Sequence, residues 1–180
     1  MRTITKPMLM LTSLLLSCSF LIVAEPLTFN SPQDKTIIVV RHAEKLKDAG
    51  RDPSLSEAGT LRAKALADSL AQLRLSQAIA SNYQRTQLTL KPIAKANNIT
   101  IQIAATTDGL QAHIAQIVEL VNAADGNTII AGHSNTVPLI ITALGGPQTA
   151  PLNESDYGNL FKLTITETGE VSLEKHHFGG

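Results

Sequence analysis

Apolar residues fall along this chain in short β-branched runs that alternate with longer stretches of helical spacing. Thr36-Ile37-Ile38-Val39-Val40 is continuous and β-branched, which predicts a buried strand of a parallel sheet covered on both faces. It runs into Arg41-His42, and Glu44 to Gly50 is polar enough to form the following loop. Ser54 with Glu57 fits a capping box, so a helix is expected to start there and run to about Leu73. Gln77 to Ala80 reads as a second strand. Thr86 to about Asn97 looks helical, with Pro92 expected to kink it or mark a restart. Ile99 to Ile103 alternates as a third strand. Leu110, Ile114, Ile117, Val118 and Val121 form an amphipathic stripe behind an Asp108 cap. Asn127 to Ala131 is a fourth strand. A helix to about Leu144 follows, with Pro138 in its tolerated first turn and Gly145-Gly146-Pro147 as its stop. Leu160–Ile165 and Val171–Leu173 read as a closing hairpin.

This alternation predicts an α/β fold: a three-layer α/β/α sandwich with a mostly parallel sheet, in one domain over residues 25–180. Residues 1–24 have the pattern of a signal peptide. Arg2 and Lys6 precede the apolar stretches Met8–Leu16 and Phe20–Ala24, and Ala24 offers a small residue at the cut. The competing reading is an uncleaved anchor; Thr12, Ser13, Ser17 and Ser19 interrupt the apolar stretch and favour cleavage. Lipidation at Cys18 is a further reading, since Leu15-Leu16-Ser17-Cys18 resembles a bacterial lipoprotein box. Against it, Leu16 is bulky and an apolar run follows the cysteine. Export places the mature chain in the periplasm or outside the cell. Cys18 is the only cysteine, so its removal leaves no disulfide and no thiol chemistry. The membrane is expected to matter only through this segment or a lipid on Cys18.

With 15 Lys+Arg against 15 Asp+Glu, the formal net charge is +0, so no global field draws in nucleic acid. Aromatics at 3% leave little surface for base stacking. Attraction for anions must be local, and strand ends supply it. Ligand crevices in open α/β sheets lie beyond the carboxyl ends of the strands. Three such ends carry Arg41-His42, Arg85 and His133. Two guanidiniums grip a phosphoryl group bidentately. A neutral imidazole attacks phosphorus and splits one hard step into two, and flanking cations favour that neutral form of His42. His133, with Ser134 at a helix start, would add a donor or a charge for the transferring oxygens, without a metal. No cofactor is called for.

At these residues the chain resembles the histidine phosphatase superfamily, as a small branch 1-type, phosphoglycerate mutase-like member. Arg41-His42-Ala43 stands for the family's Arg-His-Gly. Leu55-Ser56-Glu57-Ala58-Gly59 with Arg62-Ala63 is similar to its Leu-Thr-x-x-Gly…Arg-Ala segment. Ser81 to Thr86, with Thr89 and Pro92, resembles its second-arginine motif, and Gly132-His133-Ser134 its second-histidine motif. The resemblance covers Thr36 to Leu144. It implies His42 as nucleophile, Arg41, Arg85 and His133 as phosphate ligands, and a small phosphorylated molecule, glycan or protein, phosphohistidine included, as substrate.

Three positions depart from the pattern, one of them Asn135, which stands where the family often has another small residue. Ala43 replaces glycine, which is tolerable if the backbone there is not left-handed. The glutamate that many members carry after the third strand as proton donor is missing. Asp108 is the nearest acid, although with Gln111 it also reads as a helix cap. Glu44 is the alternative donor, or a partner for an arginine. His113 reads as a surface residue on the polar side of its helix. His176-His177 alternate faces in a strand, which disfavours a metal site. Lys45, Lys47 and Arg51 either gather anionic substrate or are solvated loop charges. Two other functions stay open. One is a serine hydrolase using Ser134 with Asp156 and His176, in the chain order of α/β-hydrolases. The other is an inactive binder of phosphorylated ligands.

Overall fold

The computed structural model describes residues 34–47 and 50–179. Residues 1–24, read from sequence as a signal peptide, and Cys18 within them lie outside the described residues. Among those described, no helix is long and apolar enough to cross a membrane.

Six strands form one sheet in the order β3-β2-β4-β1-β5-β6. They are β1 (Lys35–Arg41), β2 (Gln77–Ser81), β3 (Ile101–Ala104), β4 (Thr128–Gly132), β5 (Asn159–Ile165) and β6 (Val171–His177). The helices are α1 (Glu57–Ser69), α2 (Gln84–Asn97), α3 (Leu110–Asn122) and α4 (Val137–Ala143). β1 and β4 pair in parallel with Arg41 opposite Gly132, and β4 pairs in parallel with β2, as β2 does with β3. The β5-β6 hairpin adds antiparallel strands on the other edge of β1. The expected three-layer, mostly parallel α/β sandwich is therefore present.

The β-branched run of β1 is buried on both faces because each face has its own helical layer. Ile37 and Val39 pack with Ile79, Ile130 and the α3 and α4 side chains Ile114, Ile117, Val121, Ile140 and Ile141. Ile38 and Val40 point the other way, to Leu66 of α1 and Leu90 and Ile93 of α2. Full burial of each such side chain is worth about 1.5–3 kcal/mol. The alternation also decides where the chain goes next. β1 leads to α1 on one face, whereas its neighbour β4 leads to α4 on the opposite face. Adjacent strands whose continuations part in this way open a crevice at their carboxyl ends.

Several boundaries differ from the sequence reading. The cap of α1 is Ser56, whose Oγ accepts from the Gly59 amide at 3.1 Å, so the helix starts beyond Ser54. Ser54 and Leu55 are taken by pairing with the preceding loop, where Lys45 bridges Leu55 and the Leu46 amide donates to the Ser54 carbonyl. α1 ends at Ser69 rather than near Leu73. α2 continues through Pro92 without a restart. Asp108 caps nothing: the N-cap of α3 is Gly109 at φ 94, with no side-chain bond. β6 extends to His177, well past Leu173.

Gly59 has a packing reason. A Cβ there would lie 2.1 Å from the Glu44 carbonyl oxygen, which itself accepts from the Ser56 amide at 2.9 Å. The first turn of α1 thus rests directly on the loop that follows His42. Gly59→Ala is expected to lower unfolding free energy in a urea titration by about 2 kcal/mol or more. Gly169→Ala, at φ 82 with open space around it, is expected to cost only about 1–2 kcal/mol. Equal losses would remove the close approach as the reason for glycine at position 59.

Candidate active site

The crevice at the ends of β1, β2 and β4 is a cleft of about 410 Å³ whose lining includes His42, Lys45, Arg85, His133, Ser134 and Glu154. The His42 and His133 rings meet edge to face with centroids 5.4 Å apart. Arg85 Nη2 lies 3.4 Å from His133 Nδ1, and its guanidinium stacks 4.3 Å from the Tyr83 ring centre. Asp52 orients this arm: it accepts from the Gln84 amide at 3.0 Å and lies 3.8 Å from Arg85 Nη1.

His42 is 3% exposed, and its Nδ1 lies 2.8 Å from the Ala43 carbonyl oxygen. A carbonyl only accepts, so Nδ1 carries the proton and Nε2 keeps its lone pair. Burial, then the charges of Arg41, Arg85 and Lys45, push the His42 pKa down to about 4, against the bond to Ala43. The ring is therefore neutral and nucleophilic at neutral pH. The Ala43 amide donates to Thr89 Oγ1 at 2.9 Å. Among the described residues Asn98 is the one non-glycine at positive φ. The alanine is thus accommodated without left-handed backbone, as its replacement of glycine requires.

His133 is neutral as well. Burial first, then Arg85 and His42, take its pKa down to about 3. An Arg85 N–H donates to Nδ1, so Nε2–H donates to Ser81 Oγ at 3.0 Å. The ring thus ties the end of β4 to the end of β2 and holds Arg85 over the cleft.

Arg41 is placed differently from Arg85. Its side chain is 1% exposed and turns to the segment before β5, where Nη1 donates to the Asn153 carbonyl at 2.7 Å and Nη2 to Glu154 Oε2 at 2.8 Å. Its guanidinium lies 4.5 Å from the centre of the Tyr157 ring, which also flanks His42 at 6.2 Å. Glu154 Oε1 accepts from Ser134 Oγ at 2.6 Å. One carboxylate thus spans two of the groups expected to hold phosphate. The Ser134 bond is the leading influence holding it below the ordinary carboxylate range; burial opposes, and Arg41 and Lys45 assist.

Neither sequence-read proton donor is brought into position. Glu44 is bound by Arg62, whose Nε reaches Oε1 at 2.8 Å and Oε2 at 3.0 Å, while Nη2 lies 2.8 Å from Oε1. Burial opposes ionisation, but the Arg62 bonds outweigh it and hold the carboxyl below its ordinary range. Arg62 also donates to the carbonyls of Phe178 and Gly179, so the pair is a tie between α1, the Arg-His loop and the end of β6. Asp108 is exposed and outside the cleft lining, although Thr106 and Leu110 on either side belong to it. The serine-hydrolase arrangement is not assembled. Ser134 bonds a carboxylate, Asp156 accepts from the Asn153 amide, and His176 stands exposed on β6 beside Glu174. His113 is a correction too: it is 1% exposed and lines the cleft, with Nδ1 bonded to the Ala104 carbonyl at 3.1 Å. Lys45 lines the cleft. Among the described residues no group of three or more His, Cys, Asp or Glu could hold a metal.

Sequence reasoning gave no role to Glu154, Tyr157 or Tyr83. Tyr83 lay inside a quoted motif. Asn153-Glu154-Ser155-Asp156 is a polar turn with no periodicity, and nothing local ties it to a strand end more than a hundred residues earlier.

The family model described as histidine phosphatase superfamily (branch 1) matches residues 37–112, which bears out the resemblance read from the motifs. No curated protein matches the sequence. Solved structures share the fold. The protein histidine phosphatase SixA complexed with tungstate superposes with a TM-score of 0.64 at 16% identity, covering 79% of this chain and 96% of that one. A mycobacterial glucosyl-3-phosphoglycerate phosphatase with inorganic phosphate gives 0.59 at 14% identity, covering 81% and 97%. A mycobacterial hydrolase gives 0.60 at 13% identity, covering 79% and 89%.

The two lowered histidine pKa values predict how stability varies with pH. An unfolded histidine takes up its proton near pH 6.5, whereas folded His42 and His133 do so only near 4 and 3. Between those limits the unfolded state binds more protons, so their contribution is complete above about pH 6.5 and is lost as pH falls towards 4. The thermal midpoint is expected to fall over that range, and less steeply in His42→Gln. Equal slopes for both proteins would contradict the buried, neutral assignment.

Proposed function

We propose that this chain, whose residues 37–112 are histidine phosphatase superfamily (branch 1) sequence, is a phosphatase that hydrolyses phosphomonoesters or phosphohistidine through a phosphohistidine on His42. The observation that carries the reading is His42 itself: buried at a strand end, its Nδ1–H fixed by the Ala43 carbonyl, its Nε2 free to attack, and cations around it. Arg85 and Lys45 in the cleft, with Arg41 behind it, supply positive charge that stabilises the negative charge spread over the equatorial oxygens during transfer. Ser134 adds a hydroxyl donor. Nothing in this scheme routes a step through a metal ion. The basic and apolar pattern of residues 1–24 supports an exported enzyme, in the periplasm or secreted, acting on a phosphorylated small molecule, glycan or protein.

The chemistry divides into two displacements. His42 Nε2 forms a bond to phosphorus as the ester oxygen leaves. Water then attacks the phosphohistidine, and the P–N bond breaks with return of the lone pair to Nε2.

The test is release of 4-nitrophenol from 4-nitrophenyl phosphate by the mature chain with EDTA present. Wild type is expected to turn over and to be inhibited by vanadate. His42→Ala is expected to lose at least about a thousandfold in kcat, and Arg85→Ala to lose kcat/KM by a factor of about 100 or more. Activity that survives His42→Ala would contradict the mechanism. Phosphate binding by an inactive wild type would instead favour the binder.

A further inference from the structure

We infer that Glu154 is the proton donor and acceptor of this site, supplied from the segment before β5 rather than from the segment after β3. The inference rests on the phosphatase reading above and deepens it.

The position comes first. Glu154 lines the cleft that contains His42, and its carboxylate bridges Arg41 Nη2 at 2.8 Å and Ser134 Oγ at 2.6 Å. The turn that carries it is fixed at both ends. The Asn153 amide donates to Asp156 Oδ2 at 2.9 Å, and the Asp156 amide donates back to the Asn153 carbonyl at 3.0 Å. Tyr157 follows against the Arg41 guanidinium. The backbone is therefore anchored, while the Glu154 side chain is 76% exposed and is held through its carboxylate by Arg41 and Ser134. The two other acids weighed for this task are excluded by geometry: Glu44 is locked to Arg62, and Asp108 is outside the cleft.

The charge balance comes next. The charged and titratable groups that share the cleft with Glu154 are Lys45, Arg85, His42, His113, His133 and Tyr83, with Arg41 behind them. The carboxylate holds Ser134, which lines the cleft, and Arg41 behind it, so an arriving phosphoryl group competes with it for their donors. Substrate therefore displaces it, and the displaced carboxylate loses the two bonds that favour its ionised form. It also gains a phosphate anion as neighbour. Both changes favour protonation while substrate is bound. In the first step His42 Nε2 bonds to phosphorus, the P–O bond to the leaving group breaks, and the Glu154 proton passes to the leaving oxygen. In the second step water bonds to phosphorus, the P–N bond breaks, and the water proton passes to the Glu154 carboxylate. One proton shuttles, and the products are the alcohol and phosphate.

The experiment compares wild type and Glu154→Gln on 4-nitrophenyl phosphate and on glycerol phosphate. Nitrophenolate leaves without a proton; an alkoxide does not. Glu154→Gln is expected to lose about 100- to 10,000-fold in kcat on glycerol phosphate and only a few-fold on 4-nitrophenyl phosphate. Glu154→Asp is expected to recover part of the loss on glycerol phosphate. Equal loss on both substrates would overturn the inference in favour of a structural role. No loss, with a lower KM for both, would overturn it in favour of a carboxylate that only competes with substrate. Either result leaves the phosphatase reading standing. A wild type that hydrolyses neither ester nor a phosphohistidine peptide would overturn both.

Discussion

The hydrogen bond from His42 Nδ1–H to the Ala43 carbonyl is the interaction on which the chemistry depends. It fixes which nitrogen is bare, and burial with three nearby cations fixes the ring as neutral. Everything around it serves to hold one short segment still. The Ala43 amide is tied to Thr89 on α2, the Glu44 carbonyl accepts from Ser56, and the Glu44 carboxylate is clamped by Arg62. Gly59 permits this by letting α1 approach the segment without a side chain between them. On the proposed mechanism, a nucleophile presented from a rigid strand end needs little rearrangement at the moment of attack.

The same strand arrangement that buries β1 creates the cleft. β1 and β4 lie side by side and feed helices on opposite faces, so His42 and His133 come to stand edge to face across the opening. Arg85 arrives from β2 and is held by His133, Tyr83 and Asp52. The site is thus cationic although the chain as a whole is neutral. Within it, the Glu154 carboxylate pairs with Arg41 and Ser134 and offsets part of that positive charge.

Much of this was legible in the sequence because it is local. The β-branched run before Arg41 specifies a strand buried on both faces, and three strand ends with Arg or His specify a crevice once the strands are parallel. The convergence of His42, Arg85 and His133 follows from that topology. Other features failed to show because they depend on distant partners. Ser54 has the form of a cap, yet its backbone is claimed by Leu46. His113 looked polar on a helix face, but the position turns inward to the Ala104 carbonyl. Arg41 read as a phosphate ligand equal to Arg85, and only the fold reveals the Asn153–Tyr157 turn that engages it. Glu154 belongs to a turn with no periodic pattern, and its place over the cleft is set by long-range pairing of β5 with β1.

The measurement that tests the central claim most directly is a rapid quench of wild-type enzyme with substrate into alkali, followed by peptide mass spectrometry. Phosphohistidine survives alkali, so the peptide containing His42 should carry one phosphoryl group, placed on Nε2 by phosphorus NMR, and the label should disappear as substrate is exhausted. Turnover with the phosphoryl group on another residue, or with none on the protein at any time during steady state, would contradict the account.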